Sequence, residues 1–157
     1  MRRVMRKIII SACILLYSGA SFANEFNREL WTLQHSQAQA TIVSSHGYQK
    51  MKLVDSGAGK AVVVFTHLDD QAYCGGQDAL FKPIPTSIDV ELEVNKALQL
   101  LSVPALIGCN QGISFAEVNG KASMKLIGMM QDAARVQFYD QSFSLNGFEA
   151  VSQKVIH

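Results

Sequence analysis

SIDVELEV, residues 87–94, alternates without interruption: Ile88, Val90, Leu92 and Val94 fall on one side, Asp89, Glu91 and Glu93 on the other. A side-chain period of two is that of a β-strand with one face on a core and one in water. Asn95-Lys96 follows as a tight turn, although lysine is a poorer second turn residue than glycine. ALQLLSV (97–103) then returns as the partner strand. On this reading Val90, Leu92, Val94, Leu98 and Leu100 are core residues, and the three acids face solvent.

Strand signals continue on both sides. Upstream, QATIVSS (39–45), YQKMKLV (48–54) and the turn-rich DSGAGK (55–60) read as a meander, and AVVVFTH (61–67) is a β-branched run apolar on both faces, as a central strand is. Residues 24–36 allow either a short helix or a leading strand. Residues 69–87 hold two glycines, two prolines and three acids, which predicts an irregular surface loop pinned by Cys74. Downstream of Pro104, ALIGC (105–109) and ISFAEV (113–118) flank a turn at Asn110-Gln111-Gly112. Asn119 is placed to cap a helix running to about Ala133, with Ala122, Leu126, Met129, Met130 and Ala133 as its buried stripe. ARVQFYD (134–140) and SFSL (142–145) return to strand, and Asn146-Gly147 precedes a short terminal segment. Seven or eight short strands with one or two helices predict a single antiparallel β-sandwich or related all-β domain over residues 24–157.

The chain has 157 residues with 48% hydrophobic and 17% charged side chains, too apolar for disorder, and its formal charge of +1 is too small for a nucleic-acid binder. That charge is unevenly placed. Arg2, Arg3, Arg6 and Lys7 precede the apolar run IIISACILLY (8–17), and Ser21-Phe22-Ala23 has the small-x-small form of a signal-peptidase site. The expectation is an export leader, 1–23, cleaved after Ala23. Ten apolar residues fall short of a membrane span, and Cys13 lies inside the apolar run instead of ending it, which disfavours lipidation. Removing 1–23 leaves 10 basic against 13 acidic residues, a charge of −3, and two cysteines, Cys74 and Cys109, in a compartment where disulfides persist. By elimination the two pair with each other; two separate buried thiols are the alternative.

Candidate chemistry is sparse. Gly57-Ala58-Gly59-Lys60 lacks the leading glycine and following hydroxyl of a phosphate loop, and GISFA (112–116) misses the last glycine of a nucleophile elbow around Ser114. His35, His46, His67 and His157 are scattered without metal-ligand spacing, so no metal or cofactor is called for. Cys74 lies near His67, Asp69 and Asp70, where an imidazole can generate a thiolate, yet a structural disulfide is the better use of Cys74. The acids 89–93 read as a solvated strand face, Met124, Met129 and Met130 as helix packing, and Trp31 as a core anchor.

VELEVNKALQL, a segment ending in Cys109 followed closely by Gly112, a Met/Leu-rich helix, ARVQF and SLNGFEAV together resemble the C-terminal half of the invasion-associated locus B family, with Ser144-Leu145-Asn146-Gly147-Phe148 the best match and Trp31 similar to the family's early tryptophan. The usual cysteine after that tryptophan and the second one at position 113 are absent. The resemblance implies a small exported bacterial β-rich protein linked to host-cell invasion, in which Trp31, Gly112, Leu145, Gly147 and Phe148 are structural; it brings no catalytic residues. The expectation is a periplasmic or secreted, surface-associated protein that binds a protein partner, with no nucleic acid, membrane span or enzymatic activity. The alternatives are a periplasmic lysozyme- or protease-inhibitor-like module that uses residues 69–87, and a thiol enzyme that uses Cys74 and His67.

Overall fold

The computed structural model describes residues 30–47, 49–67, 74, 81–110 and 112–156. The predicted leader 1–23, with Cys13, and His157 lie outside the described residues. In order, the elements are β1 (Thr32–Gln34), β2 (Gln39–Val43), β3 (Gln49–Gly57), β4 (Lys60–His67), β5 (Phe81–Val94), β6 (Ala97–Asn110), β7 (Ile113–Val118), α1 (Gly120–Met130), β8 (Arg135–Phe138), β9 (Gln141–Ser144) and α2 (Phe148–Val155). The protein is mainly β, and every strand pairing is antiparallel. The nine strands form one continuous sheet in the order β1-β2-β3-β4-β7-β6-β5-β8-β9, in place of the two separate sheets of a sandwich.

The β5–β6 hairpin organises this sheet. Asn95 and Lys96 both take positive φ, 52° and 66°, the twist that a two-residue hairpin turn requires. The turn closes Val94 on Ala97 and fixes the register through Ile84 and Ile107. Ile88, Val90 and Leu92 are buried, and Asp89 is exposed. The same register sets Leu98 opposite Glu93 and Leu100 opposite Glu91. Both leucines therefore share the wet face of the carboxylates, 60% and 65% exposed, and are not core residues as the sequence suggested. Val94, near the turn, is half-buried.

The predicted loop at 69–87 is also corrected: Phe81 to Ser87 belong to β5 despite Pro83 and Pro85. Ladder geometry explains why the chain tolerates Pro85. The Pro104 carbonyl accepts the Asn119 N–H at 2.9 Å, on the side away from β5. Its partner Ser87 therefore turns away from β6, and so does Pro85 two residues earlier. The missing N–H thus falls on an edge where no described strand lies, since β8 pairs only with Val90–Glu93. Proline there also blunts the edge against a further strand.

The sheet coils until its ends meet. The Ser45 N–H donates to the Ser142 carbonyl at 2.9 Å. The buried Ser44 Oγ donates to Gln141 Oε1 at 2.9 Å and accepts the Gln49 N–H at 3.2 Å. Inside, the Phe65 ring of β4 meets Phe138 of β8 at 4.4 Å and Phe143 of β9 at 5.9 Å between centroids. Met51, Leu53, Val63, Val90, Leu92 and Val136 complete the interior around them.

Helix α1 closes a gap in the ladder. Asn119 Oδ1 caps it through the Lys121 N–H. β7 reaches only Val64–Thr66 of β4, so the N–H groups of Ala61 and Val63 find partners on the helix. Ser123 Oγ accepts from Val63 at 3.0 Å and donates to the Val118 carbonyl at 2.9 Å, and Met124 Sδ accepts from Ala61 at 3.4 Å. Docking through Ser123 rotates the buried stripe to Ser123, Leu126, Ile127 and Met130. Ala122, Met129 and Ala133 are consequently only half-buried. The helix stops at Met130, short of the expected Ala133, because the next turn tightens and the Ala134 N–H is drawn to the Glu93 carbonyl at 2.8 Å to start β8.

Leu92→Ala should destabilise the protein by about 2–5 kcal/mol, while Leu100→Ala should stay within about 0.5 kcal/mol. Ser123→Ala should cost about 1–3 kcal/mol because it strands a buried β4 donor. Urea unfolding of the three variants checks all three values.

Candidate functional site

The order of strands sets two meanders side by side, β1 to β4 and β5 to β7, the second joined in reverse, with the β8–β9 hairpin added on the far side of β5. They are joined through a short seam of three pairs, Val64↔Glu117, Phe65↔Ala116 and Thr66↔Phe115. Cys74 lies just beyond β4 in sequence, and Cys109 sits near the end of β6 beside Ser114 of β7. The two form a disulfide, with Cα atoms 5.7 Å apart and both residues buried. The bond therefore staples the seam. It also consumes the sulfur that a thiol mechanism would use: with Cys74 oxidised, no thiolate exists for His67, the last residue of β4, to generate.

The other residues singled out in the sequence fall in structural positions. Ser114 is a buried strand residue opposite Cys109. Gly57 and Lys60 pair across a turn at Ala58-Gly59. His35 and His46 lie in separate turns, and the described residues contain no group of three or more His, Cys, Asp or Glu able to hold a metal. Gly147, at φ 77°, is the residue from which α2 starts, so it delivers Phe148 into the core. Phe148 meets the half-buried Trp31 ring at 5.1 Å, and Leu145 is buried nearby in the chain. Gly112, at φ 75°, turns β6 into β7.

What the structure brings together on its outer surface is different. Asp89 and Glu91 of β5, Leu100 of β6, Gln137 of β8, and Ser87 and Tyr139 line a hollow of about 330 Å³. It opens where β8 ends and Tyr139, at φ 53° and 73% exposed, turns the chain toward β9. Leu98 stands beside it, opposite Glu93. Carboxylates next to exposed aliphatic and aromatic side chains supply attraction for a cation and a dry surface for its stem. They supply no nucleophile paired with a base.

The sequence reading missed Leu98 and Leu100 as surface residues, although the signal was present. A two-residue turn at Asn95-Lys96 forces Glu93 opposite Leu98 and Glu91 opposite Leu100, so carrying the register across the turn places them on the wet face. Tyr139 had no such signal, because its exposure depends on where β8 ends. The chain matches no family model, no curated protein and no solved structure.

Reducing Cys74–Cys109 should release the seam. The enclosed loop spans 35 residues, for which the chain-entropy relation assigns roughly 4 kcal/mol. The reduced protein should melt about 10 °C or more below the oxidised form. Calorimetry with and without reductant measures the difference, and non-reducing peptide mapping verifies the pairing.

Proposed function

We propose that this is an exported bacterial protein, periplasmic or secreted and surface-associated, that acts by binding another protein and carries out no reaction of its own. The observation that carries this reading is the set Leu98, Leu100 and Tyr139, large apolar side chains 60–73% exposed on one surface, where binding would remove them from water. Export is supported by the basic, apolar and small-residue segments of 1–23. It is also supported by the disulfide, which persists in oxidising compartments. Among the described residues no helix is long and apolar enough to cross a membrane. The resemblance of the C-terminal half to the invasion-associated locus B family points the same way and suggests a partner on or near a host cell.

The test is chemical cross-linking of the native protein in intact bacteria and on host-cell surfaces, followed by mass spectrometry. A single protein recovered in constant ratio supports the reading. Failure to recover any stoichiometric partner from either source would refute it. The purified exported protein is expected to have the intact mass of 24–157 and to lack free thiols on titration.

A further inference from the structure

We propose that the hollow at the end of β8 is the seat of an arginine side chain presented by the partner protein, with an aliphatic neighbour of that arginine resting on Leu98. This rests on the protein-binding function proposed above and names the surface and the chemistry it selects. Asp89 and Glu91 line the hollow together with Leu100 and Tyr139. A guanidinium suits this set of groups, because its planar donors match carboxylates, its face stacks on an aromatic ring and its methylene stem packs on leucine. The volume is at the bottom of the range of about 300–1,000 Å³ for small-molecule sites. That size suits one long side chain entering from an adjoining surface.

Charge selects among possible occupants. Asp89, Glu91 and Glu93 alternate with buried residues along β5 and so share its outward side, where Arg135 stands opposite Glu93 and the exposed Lys96 follows in the turn, leaving three acids against two bases among these residues. That excess of negative charge repels nucleic-acid phosphates and anionic lipid. A second copy docked face to face would set carboxylates against carboxylates. A cationic segment of a different protein is the complement that remains. Strand addition is disfavoured, since Pro85 interrupts the donors of the adjoining β5 edge.

The probe is the blocked pentapeptide leucine-arginine-leucine-arginine-leucine, with lysine, citrulline and glutamate versions, titrated into the oxidised exported protein and followed by amide chemical shifts. The expected result is that shifts centre on Asp89, Glu91, Leu100, Gln137 and Tyr139. Affinity should fall in the order arginine, lysine, citrulline, with no binding of the glutamate peptide. Glu91→Gln and Leu100→Ser should each weaken the arginine peptide about tenfold while leaving the melting temperature within a few degrees of the wild type. Equal binding of the citrulline peptide, shifts elsewhere, insensitivity to both substitutions, or no binding at millimolar peptide would overturn the proposal. So would self-association in sedimentation, or flotation with phosphatidylglycerol vesicles, that Leu100→Ser abolishes. If a partner recovered by cross-linking is retained by the Glu91→Gln/Leu100→Ser double variant, the binding function stands and this site is wrong. If the wild type recovers no partner, the function itself fails.

Discussion

Everything in this sheet depends on the register of one hairpin. A strand's side chains alternate, so slipping β5 against β6 by a single residue would exchange Val90 and Leu92 for Asp89, Glu91 and Glu93 in the interior. Burying three carboxylates is far more costly than any gain from Leu98 or Leu100. The turn at Asn95-Lys96 and the acidic alternation of β5 therefore enforce each other. Strand β8 reads the same alignment from the other side of β5, pairing Leu92 with Val136 and Val90 with Phe138, and β7 reads it through β6.

A long sheet with one apolar face must cover that face, and beyond the two short helices among the described residues this protein covers much of it with itself. Phe65, Phe138 and Phe143 bring β4 against β8 and β9, and the buried polar clasp of Ser44, Gln49 and Gln141 fixes where the coil closes. Apolar contact alone would let the ends slide past one another. Directional hydrogen bonds in a dry site specify one position, because leaving those groups unpaired is costly. Helix α1 does the same at the β4 edge, where Ser123 supplies what a longer β7 would otherwise have supplied.

What was legible in the sequence was local. The alternation of 87–94, the β-branched run of β4, the Asn119 cap and the Cys74–Cys109 pairing all follow from short-range pattern or from simple elimination, and all are seen. What escaped depends on tertiary surroundings. Proline normally argues against strand, but Pro85 is harmless once its nitrogen faces an edge that no described strand pairs, which only the pairing of Pro104 with Ser87 reveals. The stripe of α1 was misplaced because an amphipathic pattern counts serine as polar, whereas Ser123 is buried to serve β4. Leu98 and Leu100 of ALQLLSV are expected, from sequence, in the core together with Val90 and Leu92. The register across Asn95-Lys96 sets Leu98 and Leu100 beside Glu93 and Glu91, on the exposed side that forms part of the candidate binding surface.

The three-pair seam between β4 and β7 has a consequence for how the chain reaches its structure. Within each meander, pairing joins neighbours in sequence through short turns, so each can assemble quickly. The seam joins residues about fifty positions apart, and closing so long a loop is entropically slow, as are the β5–β8 pairing and the clasp of Ser44 on Gln141. Early in folding the chain is thus expected to be two half-sheets sharing a tether. The cysteines sit so that oxidation becomes favourable as those halves meet, since Cys109 of β6 comes within bonding reach of Cys74 when β7 docks. Disulfide formation then records the closing of the seam instead of directing it, and a molecule that acquires the crosslink is one whose central joint has already closed.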